Sequence, residues 1–307
     1  MNIAKTNIVD KIKPIVLIGR KGQLGQELLP ILENLGKQEV ISFGKSTFDL
    51  CQTDRIIKKL NEAKPSLIIN AAAYTAVDKA ESEPELAHKV NAVAPSIIAQ
   101  EADKLGAFFL HYSTDYVFDG KQSYPYQETD KTNPQSVYGE SKLKGEAAIQ
   151  ANCNNYLIIR TAWVYGSYGQ SNFVKTMLRL GKERKEIRVV ADQIGSPTWA
   201  KNLAQVTGQI IPKKETIQPG IYHYTNSGVA SWYDFAVVIF AEAKQLGFPL
   251  QVERVIPITT AEYPTPAKRP NYSVLSYQKI IKVLGSHPPH WRQSLREMLH
   301  NLQTVNK

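Results

Sequence analysis

Tyr138 and Lys142 lie four residues apart in the run Tyr138-Gly139-Glu140-Ser141-Lys142, and on a helix that spacing puts both side chains on one face. Such a pair can do acid–base work. A phenol ordinarily titrates near pH ~10 and a lysine amine near ~10.4, so at neutral pH neither exchanges its proton readily. An ammonium fixed beside the phenol favours the phenolate and lowers the tyrosine pKa toward the range where a general acid or base is effective. The expectation is therefore a tyrosine tuned by its lysine. The same spacing occurs on ordinary amphipathic helices with a solvated lysine, so the pair takes its meaning from what surrounds it. Upstream, Ser113-Thr114 offers hydroxyls able to hydrogen-bond a substrate oxygen, although a Ser/Thr turn that satisfies backbone groups has the same residues.

These side chains need elements that present them. Pro14-Ile15-Val16-Leu17-Ile18 is a β-branched apolar run that predicts a buried strand. It enters Gly19-Arg20-Lys21-Gly22-Gln23-Leu24-Gly25, followed by Leu28, Leu29 and Leu32 at helical spacing. Strand, glycine turn and helix form the layout in which backbone N–H groups hold a pyrophosphate, here as Gly-x-x-Gly-x-x-Gly. A second strand over 39–43 ends at Gly44-Lys45-Ser46 with no carboxylate to grip a ribose hydroxyl. Lys45 could face a 2′-phosphate, which favours NADPH over NADH, although a surface lysine reads alike. A third strand, Leu67-Ile68-Ile69, stops at Asn70-Ala71-Ala72-Ala73-Tyr74, where small side chains let a ligand approach the backbone. A fourth, 107–112, leads into Ser113-Thr114.

The totals exclude several classes. Hydrophobic residues at 43% and charged residues at 21% describe a globular chain that buries a sizeable core. Two cysteines without Cys-x-x-Cys or Cys/His clusters argue against a disulfide framework or structural zinc and favour a reducing cytoplasm. No apolar run approaches the ~20 residues that span a bilayer. The net charge of +9 is spread along the chain. Its densest stretch, Lys175 to Arg188, mixes with Glu183 and Glu186 and lacks interleaved aromatics, so nucleic acid is not the expected partner.

A glycine turn after the first strand, a Ser-Thr pair ending a later one, and Tyr-x-x-x-Lys beyond it resemble the extended short-chain dehydrogenase/reductase superfamily. More specific segments resemble one of its families, the dTDP-4-dehydrorhamnose reductases. They are Gly-Gln-Leu-Gly at 22–25, Asn-Ala-Ala-Ala-Tyr-Thr-Ala-Val-Asp-Lys-Ala-Glu at 70–81, Ser-Thr-Asp-Tyr-Val-Phe-Asp-Gly at 113–120, Val-Tyr-Gly-Glu-Ser-Lys at 137–142, Arg-Thr-Ala-Trp-Val-Tyr-Gly at 160–166, Asp-Gln-Ile-Gly-Ser-Pro-Thr at 192–198 and Arg-Pro-Asn-Tyr-Ser at 269–273. Arg20-Lys21 and Ala162 depart from the commoner family residues without disturbing the pattern.

The resemblance implies Thr114, Tyr138 and Lys142 as the catalytic set. It implies a nicotinamide cofactor against Gly22, Gln23, Leu24, Asp49, Leu50, Ala71, Ala72, Ala73 and Tyr112, with Tyr138 and Lys142, to which the glycine turn and the end of the second strand add Gly19, Gly25 and Lys45. It implies a nucleotide-sugar substrate against Tyr74, Thr114, Asp115, Tyr116, Trp163 and Arg269. The reaction it implies is hydride transfer from NADPH or NADH to a sugar C4 ketone, with Tyr138 as proton donor. A homodimer, and magnesium held by interface glutamates, occur in such relatives, but no metal ligand is assigned in this chain. The implied fold is α/β, a doubly wound parallel Rossmann-type sheet with helices on both faces and a smaller C-terminal α/β part. The expected division is a polar tail over 1–13, a dinucleotide-binding domain over 14–165 rejoined at about 200–220, and a mainly substrate-binding region over 166–307. There the regular alternation loosens into loops rich in Pro, Gly and Tyr, while Ser231 and Asp234 are spaced as a helix capping box. Two rival readings share the scaffold: another nucleotide-sugar reductase, epimerase or dehydratase, and a non-catalytic subunit like the regulatory beta subunit of methionine adenosyltransferase.

Overall fold

The computed structural model describes residues 13–36 and 38–305; of the expected polar tail only Lys13 falls among them. Ile15–Ile18 forms β1, every residue buried, and a glycine turn leads to α1 (Gln23–Asn34). The chain continues through β2 (Val40–Phe43), α2 (Thr53–Ala63) and β3 (Leu67–Asn70). A short helix, Pro84–His88, and a π-helical turn, Lys89–Val93, run directly into α3 (Ala94–Leu105). Then come β4 (Phe108–Thr114), α4 (Val137–Asn152) and β5 (Tyr156–Thr161). Beyond them lie α5 (Phe173–Glu183), β6 (Glu186–Val190), α6 (Ala200–Ile210) and β7 (Gly220–His223). The chain ends with α7 (Trp232–Gln245), β8 (Arg254–Ile258), α8 (Gln278–Leu284) and α9 (Trp291–Val305).

Six strands form one parallel sheet in the order β7-β5-β4-β3-β1-β2. Its apolar runs are continuous because both faces are covered. Ile15 and Leu17 of β1 point into a core with Leu28 and Leu32 of α1, Leu203 of α6 and Ile280 of α8. Val16 and Ile18 point the other way, to Ile56 and Leu60 of α2, Ile98 of α3 and Ile149 of α4. Each such aliphatic side chain contributes about 1.5–3 kcal/mol when fully buried. Strand order reverses between β1 and β3, and in a doubly wound sheet the crevice at the carboxyl ends of such a pair is where ligands bind. A second core joins Met177 and Leu178 of α5, Ile187 and Val189 of β6, Phe235 and Ile239 of α7, and Leu295 and Leu299 of α9.

The position of α4 matters most to the site. A Cβ on Gly139 would stand 2.3 Å from the Tyr116 carbonyl oxygen, and one on Gly145 would stand 2.1 Å from that of Asn91. Only glycine permits these approaches, which seat α4 against the segment that leaves β4 and, at Asn91, against the π-helical turn before α3. Ser136 caps the helix by accepting from Gly139 N.

Candidate active site

β4 extends through Ser113 and Thr114, further than the sequence run 107–112 indicated, so Thr114 is the last residue of a central strand. Its hydroxyl donates to Asp115 Oδ1 at 3.0 Å and accepts from Tyr116 N at 3.2 Å. Tyr138, in the first turn of α4, lies next to it, with its ring edge-on to that of Tyr116 at 5.5 Å between centroids. Thr114, Asp115, Tyr116 and Tyr138 are thus brought together at one strand end. Burial raises the Asp115 carboxyl to about 6, against the opposing hydroxyls of Ser273 and Thr114.

The lysine does not behave as its spacing suggested. Lys142 is buried, and its Nζ donates to the Tyr112 carbonyl at 2.6 Å and lies 3.0 Å from His111 Nε2. The Tyr138 phenol is pushed up to about 12, chiefly by burial; the Thr114 hydroxyl pulls it down and the Asp115 charge pushes it up. Burial likewise holds Lys142 down at about 8, against the pull of Glu146. The expected depression of the tyrosine by its lysine is therefore absent from this arrangement. Desolvation outweighs a lysine that is turned toward β4.

The glycine turn has the shape of a phosphate cradle. Gly19 has φ +95, and its Cβ would stand 2.8 Å from Ala72 N. A Cβ on Gly25 would stand 2.1 Å from the Gly19 carbonyl oxygen, so side chains are excluded where α1 starts. Ala71, Ala72 and Ala73 line the facing end of β3, half-buried like Leu24. Gly22 is the N-cap of α1. Gln23 turns its side chain away from the cradle residues, donating to the Val164 carbonyl at 3.1 Å and accepting from Asn172 at 2.7 Å. Lys45 is exposed at the end of β2, and a Cβ on Gly44 would meet the Lys21 stem at an ordinary 3.5 Å, so Lys21 also lies beside that strand end. Asp49 accepts from Cys51 N, and Leu50 is buried. Tyr112 commits its hydroxyl to Thr207 at 2.7 Å, its ring packed in the core.

The remaining substrate candidates are committed to protein partners. Tyr74 donates to Glu83 at 2.8 Å. Arg269 grips the Asp78 carboxylate through two nitrogens at 3.0 and 2.7 Å and also donates to Thr265 and the Ala267 carbonyl. Trp163, with φ +48, stacks face to face on Trp232 at 3.5 Å. Among the described residues no group of three His, Cys, Asp or Glu side chains is placed to hold a metal ion.

Three buried residues with no role in the sequence reading hold this site in place. Asn91 accepts from Tyr74 N and donates to the Tyr74 carbonyl and to Ser141 of α4. Asn70 links the Ala72 backbone to His111. Their signal was available: Asn70 and His111 are polar residues inside strands that are otherwise apolar, and each is about 1% exposed.

The doubly wound sheet, the glycine cradle at its switch point and the hydroxyl-bearing strand end define the scaffold of a short-chain dehydrogenase/reductase. The sequence profile described as the RmlD substrate binding domain matches residues 13–304. The dTDP-4-dehydrorhamnose reductase of Escherichia coli strain K12 is 44% identical over 297 residues, which cover 95% of this chain and 98% of that protein. Among solved structures, a dTDP-4-dehydrorhamnose reductase from Clostridium acetobutylicum aligns with TM-score 0.87 and 42% identity, covering 94% of this chain and 99% of that one. The Bacillus anthracis enzyme of that name, in complex with NADP, aligns with TM-score 0.87 and 37% identity over 95% of this chain and all of that chain. The chain belongs to the dTDP-4-dehydrorhamnose reductase family.

Proposed function

We propose that this chain reduces the C4 ketone of dTDP-4-dehydro-L-rhamnose to give dTDP-L-rhamnose, the last step in making that nucleotide sugar. The observation that supports the reading is Thr114 beside Tyr138 at the carboxyl end of the strand next to β3, whose own carboxyl end carries Ala71 and Ala72 against Gly19. Gly19, Gly22 and Gly25 would hold the pyrophosphate, with Ala71 to Ala73 beneath the dinucleotide. When bound, the nicotinamide supplies the hydride.

The protein manages the charge on the ketone oxygen. Thr114 hydrogen-bonds that oxygen and Tyr138 gives it a proton. Lys142 offsets the phenolate that remains, once its amine faces Tyr138. Asp115, Tyr116, Trp163 and Arg269 border the sugar side, and Arg269, already neutralised by Asp78, would have to share its guanidinium to meet a diphosphate. Lys45 follows the end of β2 and the Lys21 stem lies beside Gly44, which favours a 2′-phosphate and hence NADPH. Free Cys51 and Cys153 fit a reducing cytoplasm.

The test follows absorbance of the reduced nicotinamide as purified protein meets dTDP-4-dehydrorhamnose with NADPH or NADH. Sugar-dependent, stoichiometric oxidation that yields dTDP-rhamnose is the expected result. Cofactor recycled without net oxidation would point to an epimerase or dehydratase instead.

A further inference from the structure

The hydrogen bonds behind Lys142 bias its charge, and they run from the far end. Ala72 N–H donates to Asn70 Oδ1 at 3.1 Å, so the amide nitrogen of Asn70 is what faces His111 Nδ1, at 3.2 Å, and donates to it. A neutral imidazole that accepts at Nδ1 carries its proton on Nε2. His111 is neutral, because burial holds it well below the ordinary histidine range. Its Nε2–H therefore points at Lys142 Nζ, 3.0 Å away. An ammonium has three donors and no acceptor, so only an amine can receive that hydrogen. The amine in turn donates to the Tyr112 carbonyl at 2.6 Å.

We propose that His111 is a positioning residue that favours the neutral amine of Lys142 over its ammonium. Above about pH 8, where the amine is neutral, Lys142 takes up one proton from solvent on leaving His111 for Tyr138 and the cofactor ribose, while His111 keeps its own. The titratable groups around the amine are His111 and Tyr112 on β4 and Tyr138 and Glu146 on α4. Glu146 is itself bound by Arg160 of β5 through two contacts, at 2.9 and 2.6 Å, which limits its hold on Lys142. The chain of hydrogen bonds begins at Ala72, in the proposed dinucleotide bed, so a ligand seated there acts directly on the residue that orients His111. The inference rests on the assignment of Lys142 to the cofactor side of the reaction.

Calorimetry of NADPH binding, without sugar and in buffers of different ionisation enthalpy, tests it through proton uptake rather than turnover. The wild type should take up almost no proton near pH 7 and approach one proton at about pH 9.5. Its Kd should weaken by up to about tenfold per pH unit above the point where Lys142 loses its charge. Lys142→Met should bind with no proton uptake and no such break. In His111→Gln the amide oxygen accepts from an ammonium, so the break should move up by about one unit or more, with thermal unfolding showing that the variant is folded. Absence of proton uptake by the wild type, or an unchanged break in His111→Gln, overturns the proposal. Turnover of Lys142→Met separates the two readings. Wild-type turnover would sink the catalytic assignment itself, whereas lost turnover alongside a wild type that takes up no proton would sink only the role of His111.

Discussion

On the parallel sheet, the hydroxyls and the amine able to do chemistry sit at strand ends and in the first turns of one helix, backed by buried polar residues. Beyond residue 166, polar and aromatic side chains of equal promise are already paired: Arg188 with Glu262 inside that region, Trp232 with Trp163 and Arg269 with Asp78 across to the first. The first region stores its chemistry in burial, which shifts Tyr138, Lys142 and Asp115 away from their ordinary ranges. Arg188 and Glu262 of the second stay near solvent. Perturbed groups in a crevice are where reacting atoms are managed, and solvated pairs are easily exchanged for a ligand. On this comparison, variants at the sheet should lower kcat, and variants in the second region should act mainly on KM or on stability.

Tyr138→Phe breaks the comparison most directly. Removing one positioned acid costs a factor of about 10² to 10⁴ in turnover, while the phenyl ring preserves packing and NADPH affinity stays close to wild type. A fall in cofactor affinity of similar size would mean that the hydroxyl organises the cradle rather than the proton.

Ion pairs give the next contrast. Arg160→Met leaves Glu146 charged at about 1% exposure with no guanidinium, and breaking a buried pair in this way costs about 3–5 kcal/mol. Arg188→Met in the second region removes a pair whose side chains are both about half exposed, which is worth about 0–1 kcal/mol. Chemical denaturation of the two variants measures the gap; equal losses would contradict the burial argument.

These same residues show what the sequence could and could not reveal. The strands were legible because both sheet faces are covered, so Ile15 to Ile18 and Leu67 to Ile69 read as unbroken apolar runs. The cradle was legible because Gly19 and Gly25 have no steric alternative where they meet. The tuning of Tyr138 was misread, since spacing on a helix gives direction but not the rotamer of a long side chain. The Lys142 rotamer is set by His111 and Tyr112, some thirty residues upstream on β4. Arg269 carried no sign of Asp78, its partner across the chain.

Lys142 gives a prediction with a definite sign. Its folded pKa is lowered from 10.5 to about 8, so between those values the unfolded chain binds more protons and stability rises with pH. Below about pH 8 both states are charged and the burial penalty is constant; above the unfolded value both are neutral. The wild type should therefore gain on Lys142→Met as pH rises from 8 to 10, by up to about 1.4 kcal/mol per unit of pKa separation. A stability difference that is flat over that window would place the amine in a solvated position.

The smallest effect belongs to the second region and was visible in the sequence. Ser231 accepts from Asp234 N at 3.0 Å, while the Asp234 carboxylate accepts from Ser231 N at 3.0 Å, a complete capping box at the start of α7. The next residue is Trp232, whose ring lies flat against Trp163. Ser231→Ala removes one of the helix's otherwise unsatisfied donor contacts and should cost about 1 kcal/mol. If Trp163 borders the sugar, the loss should also loosen the ring beneath it, so that KM for the nucleotide sugar rises while kcat and NADPH affinity hold. A drop in kcat of the Tyr138→Phe kind would erase the division of labour between the two regions. A drop in stability with KM unchanged would leave α7 as scaffold and move the sugar contacts toward Thr114 and Asp115 on the sheet side.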